Sequence, residues 1–259
     1  MTAPARAAGI EFVAVPSAAV LEAAARASPG LRGGPLESGL DVFLSAQERH
    51  ASLRFKRAAD RLDYSASHAL FRLMAARRLG LPTADAAGLD VRRRCAGCGA
   101  ASHGKPSIEG VALSMSRSHG TVMAAAAPAG TSLGADIERV PAQVFAGFDD
   151  FALAPEERTG PDGPGLTDAG RIRLWVAKEA ALKAAGVGLA VDPSSVRLVP
   201  AGTGGRAGTL LAECAGNPTV HGLLVTPVPA PHGYAAAIAA PGGLTAQAVS
   251  LAEIFATKR

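Results

Sequence analysis

Aromatic residues and cysteine are scarce in this 259-residue sequence, at 4% aromatics and three cysteines. So few cysteines, and an odd number of them, exclude a disulfide framework. No apolar run reaches the roughly 18 residues that a membrane-spanning helix needs. The first residues, with Arg6 and Glu11, lack the apolar core of a signal peptide. The sequence therefore predicts a soluble, cytoplasmic protein with no membrane partner.

Net charge is also small, at +4 from 26 basic and 22 acidic residues. The basic run 92–94 has no interleaved aromatic residue, so a solvated cluster is favoured over a nucleic-acid interface. Hydrophobic residues make up 48% of the chain, which excludes wholesale disorder. The length suits one large domain or two small ones.

Periodicity indicates an α+β protein built from two halves. Apolar stripes predict helices over residues 63–79 and 171–185, ended by Gly80 and Gly186. Residues 92–106 and 159–168 are predicted as a loop and a turn-rich segment. Alternation and short apolar runs predict strands at 10–15, 111–116, 122–127, 133–138, 196–198, 209–211, 223–225 and 234–239. A break at residues 128–132 divides the chain into residues 1–128 and residues 129–259.

The second predicted helix carries the most distinctive spacing. Trp175, Glu179 and Lys183 are four residues apart and share one helix face, and Lys178 adjoins Glu179. The simpler interpretation is an exposed Glu–Lys pair, worth about 0.2–0.5 kcal/mol. The single Trp of the chain on the same face favours a functional role. Only five lysines stand against 21 arginines, so a lysine that has been retained is mildly informative.

Four acids form a candidate metal site. Asp136 and Glu138 point to one side of a predicted strand, where they repel unless a cation lies between them. Glu157 and Glu179 follow in the same half. Carboxylates and a substrate phosphate are the oxygen ligands that Mg²⁺ prefers, whereas a polar strand face in water is the simpler alternative.

Two loops could bind an anion. The stretch His103-Gly104-Lys105-Pro106 combines a flexible backbone with a point charge suited to phosphate, and residues 114–120 combine serines with Arg117 and His119. A surface turn and a solvated hairpin tip are the simpler interpretations. Cys95 and Cys98 have zinc-knuckle spacing but lack the further ligand pair of such a site.

Taken in order, these stretches resemble the 4′-phosphopantetheinyl transferase superfamily, in its larger two-lobed class. That class activates carrier proteins of polyketide, nonribosomal-peptide and fatty-acid synthases. The family pattern runs G-K-P, S-H-S/T, G-I/V-D-I/V-E, an F-x-x-x-x-E-like stretch and W-x-x-K-E-x-x-x-K. The matching stretches here are Gly104-Lys105-Pro106, Gly134-Ala135-Asp136-Ile137-Glu138, residues 153–157, and Trp175 to Lys183. The resemblance spans roughly residues 49 to 198 and is most specific in its last motif.

The resemblance implies two similar α+β lobes related by a pseudo-twofold axis, with the active site between them. It implies transfer of 4′-phosphopantetheine from coenzyme A to a serine of an apo carrier protein, in a monomer that uses Mg²⁺ or Mn²⁺. Glu179 and Lys183 would be catalytic. The implied metal ligands are Asp136, Glu138, Glu157 and Glu179. The implied coenzyme A contacts are His103, Gly104, Lys105, Pro106, Ser116, Arg117, His119, Lys178 and Arg57.

One position departs from the family pattern. Strand alternation aligns Ser116-Arg117-Ser118 with S-H-S, so Arg117 stands where His is usual, and Arg still donates to phosphate. The other register, Ser118-His119-Gly120, keeps the His. The departure also leaves open a member that binds coenzyme A or a carrier without transferring anything.

Overall fold

The computed structural model describes residues 9–27, 38–94, 97–102, 104–159, 166–202, 208–242 and 244–256. His103, Cys95 and most of the predicted turn-rich segment 159–168 lie outside these ranges. The helices are α1 (Ser17–Ala27), α2 (Ser38–Asp41), α3 (Ala46–Ser52), α4 (Ala58–Leu79), α5 (Phe148–Ala152), α6 (Pro155–Thr159), α7 (Asp168–Ala185) and α8 (Leu251–Phe255). Along the described ranges, every helix is too short or too polar to cross a membrane.

The strands form two main sheets and a small ribbon. They are β1 (Ile10–Pro16), β2 (Arg92–Arg94), β3 (Lys105–Ser107), β4 (Val111–Ser118), β5 (Thr121–Pro128), β6 (Gly134–Arg139), β7 (Arg197–Pro200), β8 (Leu210–Glu213), β9 (Leu224–Val228), β10 (Tyr234–Ala240) and β11 (Ala246–Ala248). The first sheet has the order β11-β1-β5-β4 and the second β6-β10-β9-β8-β7. Strands β2 and β3 pair only with each other, and β1–β11 is a parallel pair among antiparallel ones.

One long helix covers the outer face of each main sheet. Helix α4 packs on β4 and β5, and α7 packs on β6 and β10. Both helices end at a left-handed glycine, Gly80 (φ 77°) and Gly186 (φ 74°), as predicted. Thr167 begins α7 by accepting from the Gly170 amide, whereas α4 starts five residues before the predicted position.

Strand alternation produces the layers between the helices. In β5, Ala124 and Ala126 face the core with α4, while Met123 and Ala125 join a second core shared with β6 and β10. The layers therefore run helix, sheet, sheet, helix, which confirms the predicted α+β class. The pseudo-twofold relation stays a prediction.

The chain crosses between the two halves more than once. The predicted boundary at residues 128 and 129 lies between β5 and β6, but β11 pairs with β1 and α8 packs on α1 and α4. Ile254 and Phe255 are buried in the core of the first half. The division into residues 1–128 and 129–259 therefore leaves the last segment of the chain on the first sheet.

The ribbon of β2 and β3 is an element that the sequence did not predict. Residues 92–106 read as a loop, yet Arg92–Arg94 pairs with Lys105–Ser107, and Arg93 donates to the Gly104 carbonyl. Three arginines offer no apolar alternation, so periodicity could not reveal a strand this short.

Candidate functional site

The two main sheets also contact each other through their edge strands β4 and β6. Ser114, Ser116 and Ser118 alternate onto one side of β4, and each reaches across to β6. Ser114 Oγ accepts from the Ala135 amide (2.9 Å) and Ser118 Oγ from the Arg139 amide (3.2 Å). Serine side chains of β4 thus bind backbone amides of β6, although the two strands do not pair through their backbones. The sequence predicted these serines as part of an anion-binding segment, with Ser116 as an implied coenzyme A contact. It did not predict their bonds to β6, because a contact between two sheets leaves no local pattern.

Two of these serines also hold the acids of β6. Ser116 Oγ donates to Asp136 Oδ1 (2.7 Å), and Ser118 Oγ donates to Glu138 Oε2 (2.6 Å). Asp136 is 1% exposed, while Glu138 is partly buried. Burial raises the pKa of Glu138, and the neighbouring Asp136 raises it further.

Helix α7 brings the other predicted groups to the same place. Lys183 Nζ lies 2.5 Å from Asp136 Oδ1 and 3.1 Å from Ser116 Oγ. Burial raises the pKa of Glu179, with further contributions from Asp136 and Glu138 that Lys183 opposes. Burial works against the charge of Lys183, but the three acids outweigh it and raise the pKa of its ammonium group. The predicted face of α7 and the predicted face of β6 therefore meet.

These groups line a cleft of about 410 Å³, here called the acidic cleft. Its wall contains residues from both halves of the molecule. They are Ser67, Met115, Ser116, Arg117, Asp136, Glu138, Trp175, Glu179, Lys183 and Leu189. Trp175 also packs on Phe151 (ring centroids 5.3 Å apart), which anchors that side of the wall.

A second cavity of about 350 Å³ adjoins the acidic cleft, and Lys183 and Met115 line both. Its wall includes Gly104, Lys105 and Pro106, so the structure brings this predicted motif next to the acids. Lys105 Nζ donates to the Leu133 carbonyl (2.6 Å), and burial lowers the pKa of Lys105 to about 8.

Arg117 and His119 occupy different positions. The Arg117 guanidinium lies 5.6 Å from the Phe55 ring and 5.3 Å from the Tyr64 ring, at the wall of the acidic cleft. Burial lowers the pKa of Arg117. His119 forms the exposed turn between β4 and β5 (φ 45°), with its Nδ1 2.9 Å from Ser118 Oγ. It lines a third cavity of about 410 Å³ that Arg117 and Glu138 share.

Two predicted residues are used elsewhere in the structure. The Lys178 side chain is completely buried, and its Nζ donates to Glu157 Oε2 (2.5 Å) and to the carbonyls of Ala152 and Pro193. Glu157 also accepts from the amides of Ala154 and Leu198. Both groups therefore have partners outside the acidic cleft, and their assignment to phosphate and metal stays a prediction. Arg57 is exposed as the N-cap of α4 and lines none of the three cavities.

The oxygen atoms of the acidic cleft fit a hard divalent cation. Asp136 Oδ2 and Glu179 Oε1 are buried and have no hydrogen-bond partner in the part of the chain that the structure describes. Among the residues that the structure describes, no three or more His, Cys, Asp or Glu side chains converge closely enough to hold a metal by themselves. Mg²⁺ needs only one or two protein carboxylates, because it keeps several bound waters and also takes substrate phosphate oxygens as ligands.

Comparison with known families gives one match. The family model described as the 4′-phosphopantetheinyl transferase superfamily matches residues 132–239. This range runs from before β6 into β10 and includes Asp136, Glu138, Glu179 and Lys183. Strand β4, Arg117 and Lys105 lie before it. The curated proteins contain no match to the chain.

Proposed function

Because residues 132–239 carry a 4′-phosphopantetheinyl transferase superfamily domain, we propose that this protein modifies apo carrier proteins. It transfers 4′-phosphopantetheine from coenzyme A to a carrier serine and releases 3′,5′-ADP. The observation that supports this best is the meeting of Asp136, Glu179 and Lys183 in one cleft. The hydroxyl oxygen forms a bond to the β-phosphorus of coenzyme A while the bond to the departing 3′,5′-ADP oxygen breaks.

Cationic groups around the acidic cleft suit the diphosphate. Lys183, on α7, lines both the cleft and the cavity that contains Lys105. Arg117, on β4, lines the cleft as well. Fixed positive charge near phosphate oxygens stabilises the charge that develops on the leaving group. In this proposal Arg117 takes the position that the family pattern gives to His, and its charge persists at any working pH.

Asp136, Glu138 and Glu179 are the residues that would hold Mg²⁺ or Mn²⁺. The bound ion would neutralise charge on the phosphate oxygens. The partnerless buried oxygens of Asp136 and Glu179 support this assignment.

Glu179 is the proposed acceptor of the serine proton. Burial raises the pKa of its carboxyl, which makes the carboxylate a stronger base than an exposed one. Its side chain lines the acidic cleft, where the incoming hydroxyl would approach the diphosphate.

The acceptor partner is proposed to be an acyl or peptidyl carrier domain of polyketide, nonribosomal-peptide or fatty-acid synthesis. The net charge of +4 favours association with an acidic partner. Ser67 and Arg117 line the cleft but lie before the matched residues 132–239. The first half of the chain therefore contributes to the site, which supports the two-lobed class. We propose that the protein acts as a monomer in the cytoplasm.

The direct test incubates the protein with coenzyme A, Mg²⁺ and a panel of apo carriers. We expect a 4′-phosphopantetheine mass gain on the carrier serine. The absence of any gain, while a control transferase modifies the same carriers, would contradict the proposal. Binding of coenzyme A without any transfer to a carrier would indicate a non-catalytic member of the family.

Glu179→Gln tests the proton acceptor within this assay. We expect turnover to fall at least about 100-fold, because the amide cannot take up the proton. Thermal stability should not fall, since the change relieves repulsion among three acids. Glu156→Gln, at an exposed acid of α6, is the control and should retain normal turnover. Near-normal turnover of Glu179→Gln would overturn the role.

A further inference from the structure

Lys183 neutralises part of the acidic cleft from within the protein. We propose that a divalent cation displaces its ammonium group from Asp136 and frees it to face the adjoining cavity lined by Lys105. The proposal rests on the proposed function only for the identity of the cation. It assigns Lys183 two positions, one for the metal-free site and one for the loaded site.

Charge balance in the cleft is the first argument. Asp136, Glu138 and Glu179 carry three negative charges when ionised, against the positive charges of Lys183 and of Arg117 on the cleft wall. A net negative charge therefore remains in a largely buried space, where uncompensated charge is strongly unfavourable. A divalent cation offsets this excess.

The oxygens of Asp136 supply the second argument. Its side chain is 2% exposed, and Oδ1 accepts both from Lys183 (2.5 Å) and from Ser116 (2.7 Å). The other oxygen, Oδ2, is buried and has no hydrogen-bond partner among the described residues. A cation that binds Oδ2 comes close to the ammonium group on the same carboxylate, and the two positive charges repel.

The position of Lys183 between the two cavities is the third argument. Its side chain is 28% exposed and stands on the wall that the acidic cleft shares with the second cavity. Rotation of its four-carbon stem therefore transfers the charge between the two without movement of α7. Lys178, on the same helix, has no such freedom because its side chain is fully buried with three acceptors.

The exchange makes the two binding events cooperative. A cation that releases Lys183 adds a positive charge to the second cavity, so an anion bound there gains affinity. By linkage, that anion must also tighten binding of the cation by the same factor.

Mn²⁺ binding, followed by the electron paramagnetic resonance of free Mn²⁺ without coenzyme A or carrier, tests the displacement. We expect Lys183→Met to bind Mn²⁺ about tenfold more tightly than the wild type, because the competing charge is gone. Lys56→Met, at an exposed lysine that lines neither cavity, should bind like the wild type. Unchanged or weaker binding by Lys183→Met would overturn the proposal.

A second measurement uses the unaltered protein. A brief pulse of an amine-reactive reagent, read out by mass spectrometry, should label Lys183 several times faster with Mg²⁺ than without it. Lys178 is the internal control and should not change. Equal labelling of Lys183 with and without Mg²⁺ would overturn the exchange, whereas carrier modification in the same sample would leave the proposed function standing.

Discussion

Lys178 and Lys183 show how one helix uses the same side chain in two ways. Both belong to the motif that begins at Trp175, but Lys178 points into the core and Lys183 into the acidic cleft. The difference comes from Glu157, on α6, which forms a buried ion pair with Lys178. Removing one partner of such a pair leaves an uncompensated charge in the interior.

Lys178→Met is therefore expected to lower the free energy of unfolding by about 3 kcal/mol or more. Chemical denaturation measures this. Glu157→Gln combined with Lys178→Met should recover part of the loss, because no buried charge then remains. A single variant as stable as the wild type would show that the pair does not stabilise the fold.

His68 gives the fold a sensitivity to acid. Its ring stacks on Tyr64 (centroids 4.0 Å apart), and its Nδ1 lies 3.0 Å from the Tyr64 carbonyl. Burial lowers the pKa of His68 from 6.5 to about 4, against the opposing charge of Glu48. The unfolded chain therefore takes up a proton in this range that the folded protein does not.

We expect the free energy of unfolding to fall by an amount on the order of 2 kcal/mol as the pH drops from 6.5 towards 4. His68→Gln should flatten this part of the stability curve, measured by denaturation at a series of pH values. His50→Gln, at an exposed position, is the control. A slope that persists unchanged in His68→Gln would assign the effect to other groups.

For single residues, the sequence predicts which side chains share a face of a helix or strand, because that depends on local periodicity alone. The spacing in β6 and α7 placed Asp136, Glu138, Glu179 and Lys183 on single faces, and the structure brings these faces together. Ser114 could not be predicted, because its partner belongs to another sheet edge. Glu157 belonged to the family pattern, and only its partners in the fold reveal its structural role.

At the scale of elements, the close contact of β6 with α7 determines the shape of the acidic cleft. A Cβ atom at Gly134 would lie 1.8 Å from the Ala180 carbonyl oxygen and 2.5 Å from the Ala184 amide nitrogen. Only glycine allows this approach, which brings Asp136 within reach of Lys183.

Gly134→Ala should lower the free energy of unfolding by about 3 kcal/mol, because the contact is with helix backbone and α7 must shift. Turnover of the folded fraction should fall as well, since Lys183 moves away from Asp136. Gly216→Ala, where an added Cβ meets nothing within 4 Å, is the matched control. Thermal melting and the carrier assay measure both effects, and a variant with wild-type values would contradict this account of the contact.

Elements with strong local signals were predictable and short ones were not. Helix α7 (Asp168–Ala185) ends before Gly186, as predicted, and it starts three residues before the predicted position. The strands β2, β3 and β11 have three residues each, too few for a period to show. Their pairing depends on chain segments far away or on backbone hydrogen bonds that any residue can make.

At the scale of the molecule, the C-terminal segment joins the end of the chain to its beginning. Residues 246–248 pair in parallel with residues 10–12, and the Phe255 ring packs edge-on against Phe43 (centroids 5.5 Å apart). The first half therefore depends on residues that the sequence assigns to the second.

Phe255→Ala should cost about 3 kcal/mol of stability by opening a cavity in the first core. Hydrogen exchange should speed up in α4 and β1 more than in α7. Leu53→Ala, at a side chain that is 67% exposed, should leave stability within about 0.5 kcal/mol of the wild type. Equal acceleration in both halves would contradict the assignment of α8 to the first core.

The parallel pairing of β1 with β11 has a consequence for synthesis. A ribosome releases β1 long before β11, so the newly made first sheet has an open edge at β1 until residues 246–248 have been made. A product truncated before residue 244 would keep that edge exposed, and unpaired edges invite aggregation. Full burial of this edge of the nascent sheet therefore depends on the synthesis of β11.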